Sequence, residues 1–420
     1  MWNALMDIRV TQAEDAPWTC KATAMLMAGA LLCQTAGFLF WLPDRQVFYY
    51  VAAVLSLMYV ISGGLHLDRR YFIFLLILGL NAYLLPIDPV FNARIRFSFF
   101  AMIMLVCSPL ISNGRAIVFR QHVFKYLLIG MIPLVLGSFI CFFADINLMP
   151  YNRRELQIEL FADYETKGGR FSGLFAHSMT LGPIAALVAL LFYVRYQQED
   201  RHLWLMSFLV AAVATVMSAS RAAILGLVLS ITGVVLFSRN ASKHNKRLIV
   251  IACVGALALA PIADRVTAGV INKQKGRIEE NDGDLNSRSG KFDARLNEFA
   301  SSPIWGIGFA SVDGMYDVYN PINGQIEPGT SHLAVLSMTG LMGFVAYCGV
   351  LLHAYRCVRR QNSQRALFLE ACFLAFFVHM WFEGYVFGAG GILCFLFWLV
   401  ISQCIDSRYA AKGSGRAFCK

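Results

Sequence analysis

The sequence predicts an all-α polytopic membrane protein with about twelve transmembrane helices and one large external loop that contains an amphipathic helix. Apolar residues make up 58% of the chain, charged residues make up 15%, and the mean hydropathy is +0.57. Because about 20 apolar residues span a bilayer as a helix, each long apolar run is a candidate span. The runs are approximately Ala22–Leu42, Val47–Gly64, Tyr71–Ile87, Ile95–Ser112, Val123–Ile146, Gly173–Tyr196, Leu203–Met217, Ala222–Phe237, Leu248–Ala263, His332–Tyr355, Ala366–Glu383 and Gly388–Cys404.

The distribution of basic residues predicts the orientation of these helices. Loops that are rich in Lys and Arg stay in the cytoplasm during insertion. Basic residues concentrate in alternate loops, at 69–70, 115–125, 195–201, 239–247 and 356–365. Both termini are then cytoplasmic, and the intervening loops face outward. The net charge of +10 therefore reports topology and does not predict a nucleic-acid partner.

The chain is predicted to form a single membrane domain over residues 1–420 with two external loops. The shorter loop covers residues 147–171 and the larger loop covers residues 264–331. The larger loop contains seven Lys and Arg residues against ten Asp and Glu residues. It is therefore slightly acidic, and the positive charge of the chain lies elsewhere.

A short amphipathic helix is predicted inside the larger loop. Ser287 is a candidate N-cap, the helix runs to about Ala300, and Pro303 with Gly306 and Gly308 predicts a tight turn after it. At 100° per residue the helix carries an apolar stripe and a neighbouring basic stripe, and this pattern is typical of a helix at the membrane interface. The stripes are Phe292, Leu296 and Phe299 for the apolar one and Arg288, Lys291 and Arg295 for the basic one.

Ionisable residues that border the membrane converge on the outer side of the predicted topology. Such groups are costly in or near a bilayer and tend to be functional. Their convergence predicts a site at the outer leaflet and argues against a conduction path through the middle. His379 and Glu383 also have the i,i+4 spacing of neighbours on one helix face. The converging residues are Arg170, His177, Arg221, His332, His379 and Glu383.

Arg221 follows Ser218-Ala219-Ser220 between two apolar runs. The two runs together cover about 35 residues, which is too long for one span and predicts two helices joined by a turn. One interpretation is an interfacial arginine whose side chain reaches back to water. The other is a diphosphate ligand, because an arginine at a helix start acts together with the backbone N–H groups there.

His332 begins an apolar run that contains Gly340 and Gly343, whose small size allows close packing. A histidine at a helix end is commonly structural, but its imidazole can also act as a general base near neutral pH. Asp282-Gly283-Asp284 resembles the metal-binding Asp-x-Asp motif of nucleotide-sugar transferases, yet its surroundings favour a solvated turn. No metal and no cofactor are predicted.

Four short motifs, in order along the chain, resemble the superfamily of O-antigen ligases and O-antigen polymerases, which are membrane glycosyltransferases. The resemblance covers about Arg170 to Gly343. The motifs are Arg170 to His177 with Leu181-Gly182, then Ser220-Arg221, then Arg288 followed by Pro303 and Gly306-Ile307-Gly308, and finally His332 with Leu336, Gly340 and Gly343.

This resemblance implies transfer of a sugar from an undecaprenyl-diphosphate-linked oligosaccharide to an acceptor hydroxyl at the outer face of the bacterial inner membrane. His332 would then deprotonate the acceptor. Arg170, Arg221 and Arg288 would hold the diphosphate and stabilise its charge as it leaves with inversion at the anomeric carbon. The implied partners are the lipid-linked substrate, membrane lipid, a flippase and a chain-length regulator. Supporting roles fall to His177, Ser220, Lys291, Arg295, His379 and Glu383.

Two departures from the family pattern bear on the choice within it. Leu333 stands where ligases often have asparagine after the histidine, and Phe292 stands where a tryptophan is common. The first departure favours a polymerase that joins repeat units into O-antigen, capsule or exopolysaccharide. The alternatives are a ligase that transfers polymer to lipid A core and, from a different class, a flippase for lipid-linked oligosaccharide.

Overall fold

A computed structural model of the chain describes residues 16–39, 44–85, 92–144, 146–148, 159–160, 171–237, 271, 289–313, 319–320, 325–326 and 328–412. These residues form twelve α-helices and two short antiparallel strand pairs. The helices are α1 (Trp18–Thr35), α2 (Arg45–Ile61), α3 (Arg69–Leu84), α4 (Ala93–Cys107), α5 (Gly114–Phe143), α6 (Ser178–Glu199), α7 (His202–Met217), α8 (Arg221–Phe237), α9 (Ser289–Ser301), α10 (Ser331–Arg359), α11 (Gln364–His379) and α12 (Ile392–Lys412). The strands β1 (Ile146–Asn147) and β2 (Glu159–Leu160) pair with each other, as do β3 (Tyr319–Asn320) and β4 (Gln325–Ile326).

The helical membrane fold predicted from hydropathy is confirmed. Eleven of the twelve predicted runs coincide with a helix, and the remaining run, Leu248–Ala263, lies outside the described residues. Among the described helices, α5, α6 and α10 are long and apolar enough to cross a membrane on their own. The figure of twelve spans stays a prediction, as do the orientation and the bounds of the two external loops.

Polar caps determine where several helices begin. Asp68 accepts a hydrogen bond from the Arg70 N–H at the start of α3, and Asn113 accepts one from Ala116 at the start of α5. Ser363 does the same for Ala366 at the start of α11. Each side chain satisfies a backbone donor that lacks a partner in the first turn of a helix.

Five helix ends lie together around the predicted residues His177, Ser220, Arg221, His332 and His379, and we call this region the site end. It comprises the starts of α6, α8 and α10 and the ends of α7 and α11. The Ser331 N–H donates to the Met380 carbonyl at 2.8 Å, which joins α10 to the residues that follow α11. A Cβ at Gly182 in α6 would lie 2.7 Å from the Ser218 hydroxyl, so the turn between α7 and α8 packs directly on α6.

A buried ion pair ties α5 to α12 at the opposite end of the bundle. The Arg120 guanidinium donates to both carboxylate oxygens of Asp406, at 2.9 and 3.0 Å, and neither side chain is more than 1% exposed. Arg120 also donates to the carbonyls of Ser108 and Ile111. Pairing is obligatory here because an isolated buried charge is very costly.

Candidate functional site

Helix α10 is broken at Gly340, whose backbone has φ 60° and ψ −164°. A break leaves the last carbonyls of one half and the first N–H groups of the other without helical partners. The segment 303–308 supplies the missing partners on both sides. Its bonds are Leu341 N–H to Pro303 O (2.8 Å), Met342 N–H to Ile304 O (3.3 Å), Ile307 N–H to Ser337 O (3.0 Å) and Gly308 N–H to Met338 O (3.1 Å).

Gly306 and Gly340 make this arrangement possible because neither carries a Cβ. A Cβ at Gly340 would overlap the backbone of Ile304, and a Cβ at Gly306 would overlap the backbone of Met338. Both residues also have positive φ, which glycine adopts without strain. Two of the motifs found in the sequence, Gly306-Ile307-Gly308 and Gly340, are therefore the two sides of one backbone contact.

The break folds α10 back on itself. His332 and Tyr347 would lie about 22 Å apart on an unbroken helix, at 1.5 Å per residue. Instead, the Tyr347 hydroxyl lies 3.2 Å from His332 Nδ1. The first turn of α10 therefore packs beside its own later turns and does not extend away from them.

The His332 ring is buried, with 3% of the residue exposed. Its Nε2 lies 3.0 Å from the Phe377 carbonyl of α11. A carbonyl only accepts, so Nε2 carries the proton and Nδ1 accepts from Tyr347. The rings of Phe377 and Trp381 each lie 4.9 Å from the imidazole. The predicted helix start at His332 is confirmed to within one residue, because α10 begins at Ser331, and the folded-back helix encloses the imidazole.

The residues after α11 hold the start of α10. The Ser331 hydroxyl donates to the Glu383 carbonyl at 2.6 Å and accepts from the N–H groups of Tyr385 and Val386. The predicted i,i+4 pair of His379 and Glu383 is wrong, because α11 ends at His379. The carbonyls of Met380 and Glu383, which lie beyond that point, accept hydrogen bonds from Ser331 and do not continue the helix. His379 Nδ1 lies 3.1 Å from the Tyr385 hydroxyl.

Arg221 is the first residue of α8, and the predicted turn between two helices is confirmed there. Ala219 adopts a positive φ of 53° within that turn. Ser220 is buried, and its hydroxyl accepts from the Ala223 N–H at 3.4 Å, so it caps α8. Arg221 itself is exposed. It stands at the positive end of the helix dipole, which favours bound anions.

A small apolar crevice lies within the site end. Its walls come from α6, α8 and α11 and include Pro183, Ala223 and His379. Ala223 is two residues beyond Arg221, so this wall of the crevice lies within the first turn of α8. His177 caps α6 nearby, where its Nδ1 accepts from the Met179 N–H at 3.1 Å.

The last turn of α11 separates two groups of residues. Phe376 and His379 line the crevice shared with α8, the helix that Arg221 begins, whereas the Phe377 carbonyl and ring contact His332. Successive helical residues are turned by 100°, which places these contacts on different faces of α11. The site end therefore has an exposed arginine on one side of α11 and an enclosed histidine on the other.

Helix α9 covers the start of α10 with its charged face inward. The Arg295 side chain is fully buried and donates to the Glu298 carboxylate at 2.6 Å, and that carboxylate also accepts from the Asp313 N–H at 3.0 Å. Leu296, from the predicted apolar stripe, is 46% exposed. The expectation that Arg295 borders this stripe at the membrane interface is wrong, because Arg295 is fully buried and paired with Glu298, which shares its helix face. Burial raises the pKa of the Glu298 carboxyl, and the Arg295 guanidinium opposes that shift.

Several residues singled out from the sequence are not part of the described structure. Arg170, Arg288, Ser287 and the Asp282-Gly283-Asp284 motif lie outside the described residues. Conversely, sequence reasoning missed Tyr347 and Glu298. A signal existed for Glu298, which follows Arg295 at i,i+3. None existed for Tyr347, because its contact with His332 depends on the break in α10.

The fold and this arrangement define a helical membrane protein with an exposed arginine and an enclosed histidine at one end of its bundle. Residues 206–351 match the family model described as O-antigen ligase. This match confirms the predicted resemblance to the superfamily of O-antigen ligases and polymerases. A search of curated proteins finds no match to the chain.

Proposed function

We propose that this protein polymerises undecaprenyl-diphosphate-linked oligosaccharide repeat units into a surface polysaccharide at the outer face of the bacterial inner membrane. One observation carries the proposal. The stretch that matches the O-antigen ligase family model includes both Arg221 and His332, which lie in the first turns of α8 and α10 at the site end. Ionisable residues at helix ends favour a reaction at the membrane surface over transport through the middle.

The proposed reaction is an inverting sugar transfer without metal or cofactor. The acceptor oxygen attacks the anomeric carbon, the bond from that carbon to the diphosphate breaks, and the acceptor proton passes to His332. Arg221, together with Arg170 and Arg288, neutralises the charge that collects on the departing diphosphate. Arg221 suits this role because it is exposed at a helix N-terminus.

The geometry of His332 requires one rearrangement before it takes a proton. Nδ1 accepts from Tyr347 in the resting state, so the acceptor hydroxyl must replace that bond. Phe377 and Trp381, which are 36% and 39% exposed, lie between the imidazole and the surroundings. We propose that movement of these two rings admits the acceptor. Hydrogen bonds in enzymes without substrate commonly differ from those of the reacting complex.

A ligase that transfers finished polymer to lipid A core is the second candidate, and the description of the matching family model favours it. The two candidates separate on the product that accumulates in cells without the protein. Single repeat units on lipid A core identify a lost polymerase. Polymer that stays on the carrier lipid identifies a lost ligase.

The test uses cells that lack the gene and receive it back as variants, with surface polysaccharide resolved by length on gels. His332→Ala and Arg221→Ala are expected to abolish polymer while the protein still inserts into the membrane. Arg221→Lys is expected to retain partial function, because lysine keeps the charge but cannot bind phosphate through two parallel donors.

Arg201→Ala is the matched control for Arg221. Arg201 also precedes a helix and is exposed, with 70% of its side chain accessible, but it lies at the other end of α7. It is expected to make polymer of normal length. Full-length polymer from both His332→Ala and Arg221→Ala would contradict the proposed function.

A further inference from the structure

Helix α9 contacts the region around His332 at two points on one face. A Cβ at Gly329 would lie 2.8 Å from the Lys291 Cβ and Cδ atoms, so Lys291 packs over the turn that precedes His332. One helical turn further on, Arg295 and Glu298 are buried. Burial raises the pKa of the Glu298 carboxyl, and the nearby Ser337 side chain of α10 lowers it by a smaller amount. Residues 291, 295 and 298 have the i, i+4, i+7 spacing of a single helix face.

The buried ion pair of Arg295 and Glu298 contributes more to the orientation of α9 than to the stability of the protein. Within the described part of the chain, Arg295 Nε and Nη1 and Glu298 Oε2 have no hydrogen-bond partner. A buried ion pair with unpaired atoms contributes little net stability, because its desolvation offsets its attraction. Arg295 and Glu298 belong to the same helix, and the bond from the Asp313 N–H to Glu298 ties this buried pair to the segment that follows α9.

We propose that Arg295 and Glu298 are positioning residues that dock α9 on the start of α10 and so hold Lys291 beside the turn at Gly329–His332, where it meets the diphosphate of the lipid-linked donor. The inference rests on the proposed function. Neither Arg295 nor Glu298 touches the donor in this arrangement. Each acts through the position of α9.

The test compares Arg295→Met with the double variant Arg295→Met/Glu298→Gln. Removing Arg295 alone leaves a buried carboxylate without its cation, whereas the double variant is neutral and keeps an acceptor for the Asp313 N–H. Docking is therefore expected to fail in the single variant and to recover in the double variant. Glu298→Gln alone serves as a second test of the same pair.

Docking of α9 is measured by the labelling rate of a cysteine introduced as Ala294→Cys. Ala294 is 1% exposed, so this cysteine is shielded while α9 is docked. A membrane-impermeant maleimide is expected to label this cysteine about tenfold faster in Arg295→Met. The free energy that corresponds to a tenfold change is only a fraction of the cost of breaking a buried ion pair. The double variant is expected to return to the slow rate. Asn297→Cys, on the exposed face of α9, gives the rate of an open thiol, and the chain without an added cysteine gives the background.

Kinetics with the lipid-linked donor separate positioning from general damage. If α9 is docked in only a fraction of molecules, donor binding shifts the equilibrium toward the docked state. Arg295→Met is then expected to raise the KM for the donor about tenfold, with kcat nearly unchanged. Damage to the fold would lower kcat without a change in KM. Asn297→Ala is the control on the same helix and is expected to change neither constant.

Two outcomes overturn the inference. One is slow labelling in Arg295→Met, which would show that the pair does not dock α9. The other is a double variant that is docked but still has the raised KM, which would show that Arg295 contacts the donor directly. If the wild-type protein transfers no sugar, the proposed function fails, and the labelling rates still decide whether Arg295 and Glu298 dock α9.

Discussion

The Tyr347 hydroxyl lies 3.2 Å from His332 Nδ1, although the two residues are fifteen positions apart on one helix. This contact exists because α10 breaks at Gly340 and folds back. It fixes the tautomer of the imidazole, with the proton on Nε2 and directed at the Phe377 carbonyl. The residue proposed as the base is thus held by its own helix and by α11.

The first prediction concerns this hydrogen bond. Tyr347→Phe keeps the ring packing but leaves Nδ1 a buried acceptor without its donor, so it is expected to lower the free energy of unfolding by about 1 kcal/mol or more. A double-mutant cycle with His332→Phe is expected to give a coupling energy of about 1 kcal/mol. Unfolding of the purified protein in detergent provides the measurement. Additive effects of the two substitutions would mean that the bond does not contribute.

The second prediction concerns the break in α10. Gly340→Ala is expected to destabilise the protein by about 3 kcal/mol or more, because its backbone conformation suits glycine and a Cβ overlaps Ile304. Gly349 in the same helix has no atom within 4 Å of an added Cβ. Gly349→Ala is therefore expected to stabilise α10 by up to about 1 kcal/mol. Thermal unfolding in detergent compares the two, and equal shifts would contradict this account of the break.

The third prediction concerns the ion pair at the opposite end. Asp406→Ala leaves the fully buried Arg120 without its carboxylate and is expected to cost about 3 kcal/mol or more. Glu370→Ala is the control, because its partner Arg359 is 38% exposed, and exposed pairs contribute about 1 kcal/mol at most. The double variant Arg120→Met/Asp406→Leu is expected to be more stable than Asp406→Ala alone. A double variant that is no better would show that the charges themselves stabilise the junction of α5 and α12.

The fourth prediction is a pH dependence that originates at Glu298. Burial raises the pKa of its carboxyl above the ordinary 4.5, while Arg295, the Asp313 N–H and Ser337 lower it by smaller amounts. A raised pKa in the folded state means that the contribution to stability is complete below pH 4.5 and declines as the pH rises through the raised value. Arg295→Met removes the opposing cation, so its thermal stability is expected to fall more steeply with pH than that of the wild type. The same slope in Arg295→Met/Glu298→Gln would assign the effect to another group.

The sequence determined the elements of this protein but not every contact between them. Hydropathy located eleven of the described helices, because a bilayer requires long apolar runs whatever the tertiary contacts are. The turn before Arg221 and the end of α9 near Ala300 also followed from local signals. The four motifs identified the family that residues 206–351 match.

Only the tertiary structure decided how the motifs meet. Gly306 and Gly340 lie 34 positions apart in the sequence, and their backbone contact folds α10 back so that Tyr347 reaches His332. Helical periodicity assumes an unbroken helix, so it did not bring Tyr347 to His332, and it placed His379 with Glu383 on one face. The same periodicity identified the charged face of α9 but not the direction in which it points, because that direction depends on contacts outside the helix, such as those with Asp313 and Gly329.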